Sequence, residues 1–176
     1  MKISLYRIIV ITFCALLFSA CTLVPSQEEI NAARINTDLG LHYLHQDNTI
    51  LAKEKFILAL KENPKDPDVN DAWGYFLETT GAEKDAEHYY LDAISFAEFK
   101  GMYQNNYGTY LYRQGRYSES MTQFLLATED ANYLFLGHAY KNAGMAALKL
   151  GSKESAKTFF AKAKKNDPKI SIPNNL

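Results

Sequence analysis

The stretch NNYGTYLYRQGRYSESMTQFLLA, from Asn105 to Ala127, sets the frame for the whole chain. Gly108 is followed twelve residues on by the small Ser120, then four further by Phe124 and three further by Ala127. The same landmarks follow Gly40 (Ala52, Phe56, Ala59), Gly74 (Ala86, Tyr90, Ala93) and Gly144 (Ala156, Phe160, Ala163), so the glycines stand 34, 34 and 36 residues apart. Helix packing accounts for the pattern: each unit is a pair of antiparallel helices. The glycine on the first and the small residue on the second let the backbones close up, and the aromatic fills the space beside them. Gly81, Gly115 and Gly151 mark the turn inside three units, with Asp47 and Asn48 at that place in the first. Pro64 and Pro168, lacking an N–H, close the second helix in two units, where Glu98 and Asn132 stand in the others. No segment alternates as a strand does, and Tyr107, Leu111 and Gln114 follow one another at helical steps.

Self-similarity at this period is the mark of a tetratricopeptide repeat (TPR) array. The expected fold is all-α, a superhelical solenoid of four helix-turn-helix repeats at 33–66, 67–100, 101–134 and 137–170, within a TPR domain spanning 29–170 and followed by a tail at 171–176. The two extra residues of the last step fall in ATEDANYLFLG, between repeats three and four, beside the apolar run Tyr133 to Leu136. Two readings of that run stand. Either the seventh helix starts early and buries it, or it is an exposed hydrophobic contact site. At the other end, Phe159 has no evident burial partner, so Ile170 and Ile172 are expected to fold over it as a cap for the last repeat.

The first twenty residues do not share the repeat pattern. Lys2 and Arg7 precede an apolar run from Ile8 to Phe18, then Ser19, Ala20 and Cys21, which reads as a signal peptide over residues 1–20. The run is shorter than the roughly 20 apolar residues of a membrane span. LFSAC, ending at Cys21, resembles the lipobox of bacterial lipoproteins. That resemblance implies cleavage before Cys21, a diacylglycerol on its thiol and a fatty acyl group such as palmitate on the new amino terminus. Thr22, in place of an aspartate, resembles the pattern routed to the inner leaflet of the outer membrane, which would leave the repeats facing the periplasm. Residues 21–28 then hold the lipidated cysteine and a linker reaching at most ~25 Å. Cys14 would leave with the signal peptide, so the mature chain holds one cysteine and no internal disulfide.

Composition narrows the chemistry. The chain of 176 residues carries 19 Lys and Arg against 20 Asp and Glu, and losing Lys2 and Arg7 leaves 17 basic residues. That balance argues against a nucleic-acid surface, which needs a basic face. His42, His45, His88 and His138 fall in three repeats without the spacing of a metal-binding helix. No nucleophile elbow and no glycine-rich phosphate loop is present. The expectation is a protein that is not an enzyme, with no metal, no small-molecule substrate and no cofactor beyond the covalent lipid on Cys21.

A TPR array offers a groove instead, lined by the first helix of each repeat. In this register the expected partner-binding residues are Arg34, Leu41 and Leu44 in repeat one and Asp71 and Tyr75 in repeat two. Repeat three gives Asn105, Thr109, Tyr112 and Arg113, and repeat four Lys141 and Met145. Thr37, Asp68 and Glu78 occupy further concave positions. Asn105 and Arg113 can hydrogen-bond an extended peptide, while Tyr75, Tyr112 and Met145 supply adaptable apolar contact. Such a surface suits a polypeptide partner.

The segment from Asn105 to Ala127, with AARINTDLGLHYL (Ala32 to Leu44) and KNAGMAALKLG (Lys141 to Gly151), closely resembles the PilF/PilW family of type IV pilus biogenesis lipoproteins. The resemblance implies a pilotin: a lipoprotein of the outer membrane that binds the pilus secretin and promotes its localisation and multimerisation. A general periplasmic TPR scaffold or adaptor lipoprotein for outer-membrane or cell-wall assembly is the alternative.

Overall fold

The computed structural model describes residues 24–173; the expected signal peptide, Cys21 and the last three residues lie outside that range. Eight helices make up the described part: α1 (Gln27–His45), α2 (Thr49–Glu62), α3 (Pro67–Thr79), α4 (Glu83–Phe96), α5 (Gly101–Arg113), α6 (Tyr117–Ala127), α7 (Leu136–Lys149) and α8 (Lys153–Asn166). They pack as four consecutive hairpins. The first helices α1, α3, α5 and α7 also touch in series, forming one continuous wall. None of the described helices is long and apolar enough to cross a membrane.

Local chemistry sets the boundaries. Ser26 starts α1 with a capping box, its hydroxyl accepting from Glu29 N while the Glu29 carboxylate accepts from Ser26 N. The helix therefore begins before the first repeat proper. Asp66 caps α3 by accepting from the Asp68 and Val69 amides, with Pro67 at the first helical position. Inside the hairpins Gly81, Gly115 and Gly151 take φ of +84°, +76° and +77°, and Asp47 takes +57° at the corresponding turn. Aspartate is one of the few residues with a side chain that visits this region readily.

The glycine ladder works by contact. A Cβ on Gly40, Gly108 or Gly144 would lie 2.6, 2.8 or 2.7 Å from the ring of Phe56, Phe124 or Phe160. At Gly74 the fit is looser, with the Tyr90 ring and the Ala86 carbonyl oxygen at 3.3 Å. Ser120, the serine among three alanines, is fully buried and donates from Oγ to the Gly108 carbonyl at 2.7 Å. The middle of the array is rich in tyrosine: Tyr90, Tyr107 and Tyr110 pack together with Leu111 and Ala86.

The connection between repeats three and four divides between the two sequence readings, with Tyr133 buried and Leu134 and Phe135 exposed. The seventh helix does not start early enough to bury the apolar run; α7 begins at Leu136. Instead the connection folds back onto the start of α5, where Asp130 accepts from Gly101 N at 2.8 Å and replaces the missing cap of that helix. Tyr133 is buried there, its Cβ 2.5 Å from where a Cβ on Gly101 would sit. Leu134 and Phe135 are left outside, 87% and 58% exposed.

At the last repeat Phe159 has more partners than its sequence context suggests. It packs against the cluster of Phe124, Ala143 and Ala146 as well as that of Ala147, Ala156 and Phe160. Ile172 joins the second cluster, and Ile170 is buried.

Candidate functional site

The wall of first helices carries a groove of about 610 Å³. Its α1 side is Ile30, Arg34, Thr37, Asp38 and Leu41; α3 and the turn before it give Asp66, Asp68, Val69, Asp71, Ala72 and Tyr75. Asn106, Thr109 and Arg113 come from α5, and Tyr90 reaches in from α4. These positions recur because the first helix of each repeat presents the same face to the concave side.

Six of the expected lining residues, Arg34, Leu41, Asp71, Tyr75, Thr109 and Arg113, therefore share one groove. The other five lie elsewhere. Leu44 packs on the cluster of Phe56, Trp73 and Phe76. Tyr112 packs on Phe124 and Ala143 and meets Tyr117 edge-on. Asn105 accepts from Asn142 Nδ2 at 3.1 Å, bridging α5 to α7. Met145 joins the cluster of Ala147 and Phe160, and Lys141 is half-buried on α7. The groove thus belongs to the first three repeats.

Sequence register missed Ile30, Asp38, Asp66, Val69, Ala72, Asn106 and Tyr90. Ile30 lies on the turns of α1 ahead of the first repeat, and Ser26 with Glu29 was the signal that the helix started there. Asn106 sits one position beyond Asn105 and donates from Nδ2 to Asp71 Oδ2 at 2.8 Å. The spacing of 35 residues between Asp71 and Asn106 is one repeat plus one, which a strict 34-residue register passes over.

Hydrogen bonds tie the groove's charges together. Arg113 grips the Glu78 carboxylate with two nitrogens, Nη2 reaching Oε2 at 2.6 Å, and Tyr90 OH donates to the same Oε2 at 2.9 Å. Arg113 is thus a partner of Glu78 before it is a partner of any ligand. Burial, and then the Glu78 carboxylate, push the Tyr90 phenol well above its ordinary range, so it stays a donor. Tyr103 OH donates to Asp68 Oδ1 at 2.7 Å. Asp71 is the outlier. No donor among the described residues reaches its buried Oδ1. Desolvation raises its carboxyl to about 7, against the opposing hydrogen bond from Asn106 and with a further push from the Asp68 charge.

The described residues contain no cluster of three His, Cys, Asp or Glu side chains able to hold a metal ion. The groove's chemistry is that of a binding surface: apolar patches at Ile30, Leu41 and Tyr75 beside paired and unpaired charges.

No protein-family model matches the chain. Among curated proteins it is 31% identical over 137 residues to the type IV pilus assembly protein PilF of Pseudomonas aeruginosa, an alignment covering 76% of this chain and 54% of PilF. The chain thus spans about half the length of that relative. It is 30% identical over 134 residues to an uncharacterized protein of Haemophilus influenzae, covering 74% of each. The solved structure of Pseudomonas aeruginosa PilF superposes with a TM-score of 0.76 at 28% identity, over 82% of this chain and 65% of that one. The crystal structure of PilW, a widely conserved type IV pilus biogenesis factor, gives 0.71 at 25% identity over 77% and 62%. By its identity to PilF and its superposition on both solved structures, the chain is a PilF/PilW-like tetratricopeptide-repeat protein.

Proposed function

We propose that this chain acts in type IV pilus biogenesis as a pilotin: a lipoprotein held on the inner leaflet of the outer membrane through Cys21, which binds the pilus secretin and promotes its localisation and multimerisation. The observation that carries the reading is the match to PilF over 137 residues, 76% of this chain. The groove supports it physically. It lies on the helices that TPR proteins present to their partners, combines apolar patches with fixed hydrogen-bonding groups, and is large enough for several side chains of a polypeptide. Binding and placement do the work in this reading, and no bond is made or broken. The lipid contributes through several acyl chains, each adding ~0.8 kcal/mol per buried methylene, because one chain alone holds a protein to a membrane only marginally.

The test is Cys21→Ala in a piliated host lacking its own copy of the protein. The expected result is a mislocalised protein and fewer secretin multimers in the outer membrane, read from membrane fractions run without full denaturation. Unchanged multimers would overturn the pilotin reading. Loss of another outer-membrane or cell-wall assembly, with secretin unaffected, would point to the scaffold alternative.

A further inference from the structure

Four aspartates line the groove, Asp38, Asp66, Asp68 and Asp71, and three of its acidic or basic groups are already committed to the fold. Arg113 is held by Glu78, Asp66 caps α3, and Asp68 accepts from Tyr103. Asp71 is only half committed. Asn106 satisfies Oδ2, while Oδ1 is buried and meets no donor among the described residues. Leaving a buried acceptor unsatisfied costs about 1–3 kcal/mol, and more for a charged group. Because Asp71 lines the groove, a donor carried by a bound molecule can approach it from that side. Asp68 stands one turn earlier on the same face of α3 and is exposed; Tyr103 takes only its Oδ1, so Oδ2 adds a second acceptor. Tyr75 stands one turn later, its ring suited to the stem of a long cationic side chain or the plane of a guanidinium. Two carboxylates alone do not make a metal site, and the groove continues past them over the apolar Ile30 and Leu41, which suits a chain more than a lone ion.

We propose that the groove holds a cation subsite: a bound polypeptide places an arginine or lysine side chain between Asp68, Asp71 and Tyr75, supplying the donor that Asp71 lacks. This inference rests on reading the groove as a polypeptide site and narrows the partner segment to one that presents a basic residue beside apolar ones.

The experiment uses the full-length protein, isotopically labelled, and short capped alanine peptides whose central residue is arginine, lysine or the neutral norleucine. Saturable shifts are expected at the Asn106 side-chain amide and the Asp71 carboxyl carbon, with the basic peptides binding roughly tenfold or more tighter than norleucine. Asp71→Asn should abolish that preference while keeping the wild-type spectrum elsewhere. Equal binding of all three peptides, no shift at Asn106, or an undiminished preference in Asp71→Asn would each overturn the subsite. The comparison with norleucine is made on the wild-type protein, so it decides even if the variant folds poorly. The pilus reading fails separately. If secretin capture is lost in Tyr75→Ala but kept in Asp71→Asn, and the peptides show no basic preference, the subsite falls and the groove reading stands. If the basic peptides dock at Asp71 while no groove variant affects the secretin, the subsite stands and the pilotin role falls.

Discussion

Asp71 sits where ionising costs free energy: one oxygen bonded to Asn106, the other enclosed without a donor, and the Asp68 charge nearby. Its carboxyl therefore titrates at about 7 in the folded protein, above the 3.8 of an ordinary aspartate. The sign of the linkage follows. The folded state holds this proton more tightly than the unfolded one, so the stabilisation is complete below the ordinary value and is lost as pH rises through about 7. Each pH unit inside that window is worth at most about 1.4 kcal/mol. Other charges face the same groove: Arg34 and Asp38 from α1, Asp66 at the start of α3 and Asp68 within it, Tyr90 from α4 and Arg113 from α5. Comparison with Asp71→Asn separates Asp71 from them. Relative to wild type, Asp71→Asn should be more stable at pH about 8 than at pH about 5, as measured by urea unfolding at both. An unchanged difference would mean that the carboxyl is solvated. The residue's place on the concave face was legible in the repeat register. Its protonation was not, because that depends on Asn106 from the next repeat and on how closely the groove walls enclose one oxygen.

Single helices were read most securely where glycine met aromatic, because that contact is local to a hairpin and repeats at a fixed spacing. Gly108 offers the sharpest check. A methyl there would press at 2.8 Å on the ring of Phe124, itself buried, and at 3.3 Å on Gln123 Cβ. Gly108→Ala gains up to about 1 kcal/mol in helix propensity. Overpacking typically costs about 1–3 kcal/mol. The expected outcome is net destabilisation of about 1 kcal/mol, with a matching fall in the denaturant midpoint. A more stable variant would show that the α5–α6 hairpin can relax and that the ladder marks propensity, not contact. The connection after α6 was read poorly for the opposite reason. Nothing local announces that Asp130 will cap a helix starting 29 residues earlier, or that Tyr133 will cover Gly101 and leave Leu134 and Phe135 outside. That arrangement is a tertiary one, and hydropathy alone grouped the four apolar residues as a unit.

At the scale of the whole array, stability is a sum of repeats and their interfaces, so the two ends differ from the middle. The middle repeats are cross-linked by long-range polar contacts: Tyr103 to Asp68, Asn106 to Asp71, Arg113 to Glu78, and Tyr107 with Arg116 to Glu87. Only Asn142 to Asn105 ties α7 to α5 in this way among the described residues. The last hairpin depends more on apolar cover, part of which comes from the tail through Ile170 and Ile172. Deleting residues 168–176 removes that cover from the face of Phe159 and Phe160. Amide hydrogen exchange should then rise first and most in α7 and α8, with α3 to α5 keeping their protection, because each repeat is stabilised chiefly by its neighbours. The groove lies in α1, α3, α4, α5 and the turn before α3, so peptide binding should survive the truncation. Uniform loss of protection along the chain would instead mean that the array unfolds as one unit, with the tail supporting the groove from a distance.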